Sequence, residues 1–338
     1  MKKIFVFLFL LIATTSLKAQ DFYSFDALVN PKNFNVLNDT TLLIYDKDRI
    51  EEELCLNNIY SFEILNCTRF GKGPGELSGN AVHIFLDREK KEIIIWDFGL
   101  QRITKFSDKL VYLNDSNISD RFRGVLSILP INESHQLYLR MNEDSFAEVV
   151  NIKKDSVVSV VDNENEYLFP VKNNFLLKQG YYTFDGDSES ILFTSKYSSI
   201  LMKISITGLD FLTLGEPNIP FPEREKNDEY GIPSLHKYTT SSLDASINQG
   251  NIYILHSGKK TKYREAFWYL VRGRILELQE KLDRGKELLV YNLKNGDFIK
   301  RLELPFEVKK AKVFNNNVYA LRDTEEGAII SVIPLQDL

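Results

Sequence analysis

Ile93–Ser107, IIIWDFGLQRITKFS, and Ile191–Ser205, ILFTSKYSSILMKIS, align without a gap. Ile93, Ile94 and Ile95 stand over Ile191, Leu192 and Phe193. Ile103, Lys105, Phe106 and Ser107 stand over Leu201, Lys203, Ile204 and Ser205. Each copy reads as a strand, a loop and a returning strand, because a short apolar run cut by turn residues is the mark of a hairpin. The copies begin 98 residues apart, at positions 93 and 191. That spacing is two units of about 49 residues, near the ~40–50 residues of a four-stranded propeller blade.

Working outward, the rest of the chain keeps this rhythm. Thr41–Tyr45, Val82–Leu86, Gln136–Leu139, Ile252–Leu255, Leu288–Tyr291, Phe298–Leu302, Val318–Leu321 and Ala328–Ile333 are short runs of β-formers between Asn, Asp, Gly and Ser clusters. A third hairpin, Leu288–Leu304, begins close to another 98-residue interval. Asn295-Gly296 reads as a two-residue hairpin turn, with both central residues at φ > 0, and Asn315–Asn317 as a similar one. Dividing the chain by its unit gives about six blades. The expected fold is an all-β, six-bladed propeller with four-stranded antiparallel blades. An N-terminal strand near Phe34–Tyr45 is expected to complete the sheet of Val318–Ile333, leaving no open edge.

Two stretches break the rhythm. Gly215–Pro233 is proline-rich and charged, and reads as a long loop. In Tyr263–Arg284, Phe267, Val271, Ile275, Leu278 and Leu282 recur at helical steps. One inserted helix over about 263–284 is expected, its stripe packed on the rim of a blade, although Gly273 costs it about 1 kcal/mol relative to alanine. Trp268 lies beside that stripe. It is either a partner surface or a side chain buried against its own domain.

The N-terminus has a different grammar. Lys2 and Lys3 precede an apolar run, Ile4–Ala13, and a small residue, Ala19. The run is too short to cross a bilayer of roughly 30 Å and has the form of a cleavable signal peptide. Residues 1–20 are therefore expected to be removed, with the cut after Ala19 or Gln20, and 21–338 to form a single propeller domain in the periplasm or outside the cell. No cysteine follows the run to carry a lipid. Loss of Lys2, Lys3 and Lys18 from 42 basic residues leaves 39 against 47 acidic, a net charge of −8. Such a balance disfavours nucleic acid or an anionic membrane as partner. The two cysteines, Cys55 and Cys67, could pair in an oxidising compartment or remain buried thiols. With a turn at Asn57-Asn58, Cys55 would face about Tyr60 and not Cys67, so both readings stay open.

One local motif stands out: Arg69-Phe70-Gly71-Lys72-Gly73-Pro74-Gly75-Glu76-Leu77. Its glycines and proline make a rigid loop, poor in side chains. Together with Ile94-Ile95-Trp96-Asp97 and Arg102-Ile103-Thr104-Lys105-Phe106, it resembles the exported six-bladed propellers of the TolB-like kind, relatives of the NHL-repeat propellers. The resemblance is specific over about Arg69–Phe106 and architectural elsewhere. Asp97, Arg102, Ile103 and Phe106 match the NHL pattern; Leu100 stands where an asparagine belongs. In the later copy Ser195 and Ile200 replace Asp97 and Arg102. The resemblance implies a fold and a compartment, not a reaction.

The loop is no phosphate cradle, since GxxxxGK[ST] is absent and no helix pattern follows. It reads either as a ligand-binding loop, with Arg69, Gly71, Gly73, Pro74, Gly75 and Glu76 as its residues, or as a tight turn between blades. His83, His135, His236 and His256 form no ligand pair by spacing. Asp185–Glu189 lacks the glycine and the final bidentate glutamate of a calcium loop. No nucleophile elbow is present. No catalytic residue, cofactor or metal ligand is thus assigned. The chain is read as a monomeric binding module for a glycan, peptide or protein. The alternative is a hydrolase or lyase whose polar groups converge in a central channel.

Overall fold

The computed structural model describes residues 20–22, 31–46, 52–61, 63–79, 81–117, 125–140, 145–162, 179–185, 189–219, 239–325 and 327–338. These residues form six four-stranded sheets. The six inner strands are β2 (Pro31–Asn38), β6 (Ala81–Asp87), β10 (Val125–Pro130), β14 (Gly180–Asp185), β18 (Thr239–Asn248) and β22 (Lys310–Phe314). Each pairs antiparallel with the next strand in sequence. In the first five blades, I to V, the order within the sheet is simply the order along the chain. The all-β, six-bladed propeller is therefore the observed fold.

The two aligned segments occupy the same place in their blades. Ile93–Ser107 contains β7 (Glu92–Asp97) and β8 (Arg102–Ser107), the middle strands of blade II. Ile191–Ser205 contains β15 (Ser190–Ser195) and β16 (Ile200–Ser205), the middle strands of blade IV. Middle strands are covered on both faces by neighbouring sheets, so β7 and β15 are almost entirely buried and read as continuous apolar runs. Leu288–Leu304 falls differently. It belongs to β20 (Gly285–Asn292) and β21 (Phe298–Val308), the third and outer strands of blade V. The third copy is out of phase because helical residues inserted in this blade use up part of the interval.

Three local expectations are corrected. The strand that closes the ring is β1 (Gln20–Phe22), paired with β24 (Gly327–Pro334) through Gln20↔Val332 and Phe22↔Ile330. Phe34–Tyr45 instead forms the first hairpin of blade I, β2 with β3 (Thr41–Asp46). The turn near the cysteines lies beyond Asn57, which pairs with Ile64. That shift makes Cys55 and Cys67 direct cross-strand neighbours on β4 (Glu52–Asn58) and β5 (Ile64–Arg69), and they are joined by a disulfide. At Asn295-Gly296 only Gly296 takes φ > 0, at 74°. Gly296 N–H bonds Asn292 O, and Tyr291 pairs with Phe298, so the turn is wider than two residues.

The inserted helix is two helices, α1 (Tyr263–Val271) and α2 (Ile275–Leu282). Gly273 at φ 65° divides them. The break turns the expected stripe apart: Leu278 and Leu282 are buried, while Phe267 and Val271 face solvent. Gly215 to Ile219 carry no strand, as a loop should; the rest of that segment lies outside the described residues. No helix among the described residues is long and apolar enough to cross a membrane.

Candidate functional site

The inner strands run the same way through the ring. We call the face where each chain enters its blade the upper face and the opposite one the lower face. Inner strands alternate apolar and polar residues. In β18, Leu243 and Ala245 are buried among neighbours while Ser242, Asp244, Ser246 and Asn248 alternate with them. Three of those polar side chains bond the backbone of β22 and of Asn315 just beyond it. Asp244 Oδ2 accepts from Ala311 N–H at 3.2 Å, Ser246 Oγ from Val313 N–H at 3.0 Å, and Asn248 Oδ1 from Asn315 N–H at 3.1 Å. Backbone donors left over by a blade with no fifth strand are thereby satisfied. Blades V and VI are zipped together by side chains.

Polar residues of the inner strands, Asp244 and Ser246 among them, face a central cavity of about 320 Å³. β2, β6, β14, β18 and β22 line it; no described side chain of β10 does. His83 on β6 instead meets Tyr182 on β14 edge-on, with ring centroids 5.3 Å apart. Toward the lower face the cavity continues into a wider mouth of about 540 Å³, sharing Leu86, Arg88, Phe184 and Ile247.

The charges on the cavity wall are unequal. Among the described residues Lys32, Arg88, Lys310 and Lys312 line it against one carboxylate, Asp244. Lys312 is committed: its ammonium lies 2.5 Å from Asp244 Oδ1 and donates to Ala245 O at 2.9 Å. Arg88 donates to Val36 O and Leu37 O at 2.7 and 2.9 Å and stacks on Phe314 at 4.4 Å. Lys310 donates to Leu243 O at 2.8 Å and sits 4.1 Å over the Tyr181 ring. Burial lowers its pKa, opposed by Asp244 and Asp283. Asn35 adds a donor, Nδ2, that is buried with no hydrogen-bond partner among the described residues. Burial also holds His83 down to about 4, so it is neutral near pH 7. Donors and positive charge dominate this cavity.

The glycine loop lies elsewhere. None of Arg69 to Glu76 lines the cavity. The loop links β5 of blade I to β6 of blade II, and blade II holds it from below. Arg102 on β8 donates to Gly73 O at 2.9 Å, and also to Glu76 O and Lys72 O. Its guanidinium is 3.2 Å from Asp115. Asp97 is fully buried and accepts from Ser78 N–H at 2.7 Å, Ser78 Oγ–H at 2.5 Å and Leu100 N–H at 3.0 Å. Glu76 folds back within the loop to accept from Gly73 N–H at 2.7 Å. Gly71 and Gly75 take φ of 153° and 74°. A Cβ on Gly71 would sit 2.0 Å from the Glu76 carboxylate. Arg69 is exposed, and Pro74 lies at the exposed crest. At its far end Gly79 O accepts from Tyr45 O–H at 3.2 Å, and Tyr45 is itself on the cavity wall.

The histidines do not gather. His83 is on the cavity wall, His135 sits between Asn132 and Asn151, and His256 is buried in blade V. His236 lies outside the described residues, as do Gly186–Ser188 of the polar turn at Asp185–Glu189. Among the described residues no three His, Cys, Asp or Glu side chains converge on one point. The cavity residues Asn35, Tyr181 and Lys310 escape a search for motifs. Their signal is period-two polarity in the first strand of each blade, as in Lys310-Ala311-Lys312 and Asp244-Ala245-Ser246.

No family model matches the chain, and no curated protein matches its sequence. Solved structures do resemble it. A presumed exported protein of Bacteroides fragilis is 11% identical, with a TM-score of 0.55, and the match covers 94% of each chain. A member of the DUF4221 family from Bacteroides vulgatus is 10% identical, with a TM-score of 0.54, over 93% of this chain and 91% of that one. A protein of unknown function from Bacteroides thetaiotaomicron is 10% identical, with a TM-score of 0.50, over 94% of this chain and 72% of that one. Likeness at such identity defines the class, a six-bladed β-propeller with neighbours that include a presumed exported protein. It goes no further than the fold.

Proposed function

We propose that this protein is an exported binding module of the TolB-like, NHL-like kind, and that its central cavity takes a small anionic ligand. The observation that carries the ligand class is the unequal wall: among the described residues, four cations, one of them half-buried Lys310, stand against a single carboxylate that Lys312 already neutralises. Beside a protein wall such an excess favours an anion more than it would in bulk water. Asn35 Nδ2 is a further donor looking for an acceptor. Tyr181 and Tyr182 supply apolar faces beside these charges, the usual mixture of a small-molecule site. Export rests on Lys2-Lys3, Ile4–Ala13 and Ala19. It also fits the ring closure, because a cut after Ala19 starts the mature chain at Gln20, the first residue of β1. Cleavage there would free the strand that completes blade VI.

The test is thermal unfolding of the purified protein with citrate or inorganic phosphate, against glucose at the same concentration. The expected result is a rise in Tm with the anions alone, which disappears in Lys310→Met. Equal stabilisation of the variant, or a larger rise with glucose, overturns the anionic reading. N-terminal sequencing of protein recovered from periplasm or medium should begin at Gln20 or Asp21.

A further inference from the structure

The helical insertion carries apolar surface that the fold does not use. α1 has no buried residue at all. Tyr263, Phe267, Leu270 and Val271 recur at steps of four, three and one, a single helical face, and that face is exposed. Leu270 is 64% exposed, Trp268 50%, and Leu276 at the start of α2 72%. Large aromatic and aliphatic side chains in one patch mark a surface meant to be covered.

Its occupant is indicated by charge. Lys259 to Arg274 contain six basic residues, Lys259, Lys260, Lys262, Arg264, Arg272 and Arg274, against one acid, Glu265. Lys259 pairs with Glu307, and Arg274 with Glu277. Lys260, Lys262 and Arg264 are exposed with no carboxylate partner among the described residues. Arg272 lies 5.5 Å over Trp268. Trp, Tyr and Phe beside Lys and Arg on a protruding helix is the composition of a segment lying in the interface of an anionic bilayer, rings at the headgroup level and cations on lipid phosphates. A second copy fits poorly. A helix about 14 Å long cannot supply the roughly 800 Å² per partner of a stable dimer, and pairing the patches would bring their cations together. The negative charge of the whole chain does not decide the matter, because repulsion is screened beyond about 8–10 Å while the patch is in contact.

We propose that α1, with Leu276, docks the propeller on an anionic membrane surface without crossing it. The chain holds two tryptophans, and Trp96 is fully buried, so a change in emission on adding vesicles reports Trp268. The experiment mixes purified protein with vesicles of phosphatidylethanolamine and phosphatidylglycerol in equal parts, or of phosphatidylcholine alone. A blue shift and co-flotation with the anionic vesicles only are expected. Lys262→Glu with Arg264→Glu and Lys260→Glu should weaken the partition roughly hundred-fold, at about 1 kcal/mol per cation. Phe267→Ser with Leu270→Ser should weaken it at least about tenfold. All should melt like the parent, since none of these side chains is buried. Unshifted emission on both vesicles overturns the proposal. So does binding that survives both sets of substitutions. Self-association in sedimentation that the apolar substitutions abolish, without vesicle binding, overturns it in favour of a second copy.

Discussion

The seam between blades I and II and the central cavity both concentrate charged residues, and they use them in opposite ways. In the seam most of the buried charge is answered within the protein, although Arg102 Nε and Asp115 Oδ1 keep no hydrogen-bond partner among the described residues. Asp97 accepts three hydrogen bonds, Arg102 holds three loop carbonyls and Asp115, and Glu76 turns inward to Gly73 N–H. In the cavity four cations meet one carboxylate among the described residues. Charge that is paired and internal contributes to stability; charge held in excess on a concave wall is available to a ligand. The comparison teaches that the residues most conspicuous in a repeat need not be the ones that meet a ligand. In the glycine motif Lys72, Gly73 and Glu76 are bonded within the protein, while Arg69 and Pro74 are exposed. The cavity wall is written in ordinary residues at alternate positions.

The sharpest way to break this comparison is Arg102→Ala. The side chain is buried, and its loss strands Asp115 and the carbonyls of Gly73 and Glu76. Removing one partner of a buried ion pair costs about 3–5 kcal/mol, and denaturant unfolding should report a loss of that size. Phosphate or citrate binding, measured below the unfolding transition, should not change. Loss of the anion response with unchanged stability would make the seam part of the site.

The next effect is set by pH in the cavity. Folded His83 titrates near 4, held down by burial, while unfolded it titrates near 6.5. Between those values the unfolded chain binds a proton that the folded chain refuses. Stability present above about pH 6.5 is therefore lost as pH falls, and the loss is complete below about 4. The magnitude is about 3 kcal/mol. His83→Phe should flatten this part of the pH–stability curve; an unchanged curve would show that His83 is already protonated in the fold.

A smaller effect tests the loop backbone. Gly75 has φ 74°, and a Cβ there would lie 3.0 Å from Tyr112. Gly75→Ala should cost about 1–2 kcal/mol from the left-handed backbone alone, plus whatever Tyr112 must give. Gly73 has no positive φ and meets only the flexible Glu76 carboxylate, so Gly73→Ala should cost less. Equal costs would show that the loop's shape is set by side-chain crowding instead of backbone hand.

How much of this was legible in the sequence follows from the range of each interaction. Blade strands were readable because burial on both faces leaves continuous apolar runs such as Ile93–Trp96 and Ile191–Phe193. Asp97 and Arg102 were visible as pattern residues, but their partners Ser78, Gly73 and Glu76 are joined to them only by the fold. The sequence alone does not decide whether Cys55 and Cys67 pair, because a shift in where the turn falls re-pairs the whole hairpin. The end of the helix stripe misled for a related reason. Periodicity shows which residues share a face, not which way that face points, and Gly273 lets α1 and α2 point differently. The cavity needed five blades at once, so Lys310, Asn35 and His83 could not be brought together from spacing.

The smallest stability effect carries the functional claim. Lys310 lies under Tyr181 with one backbone hydrogen bond, and burial already disfavours its charge. A charged lysine in that position opposes folding below its lowered pKa, and stability should rise slightly as pH climbs toward its ordinary value near 10.5. Lys310→Met keeps the aliphatic volume and removes the charge. It should leave stability within about 0.5 kcal/mol of the parent or raise it, since replacing a buried charge by an apolar residue of similar size is often neutral or favourable. Anion binding should nonetheless fall, because Lys312 and Arg88 are held by Asp244 and by the carbonyls of β2. A chain that keeps its stability and loses its response to phosphate and citrate would separate the two uses of charge. A chain that loses stability by several kcal/mol and still responds would mean that Lys310 belongs with Arg102, as a strut between blades.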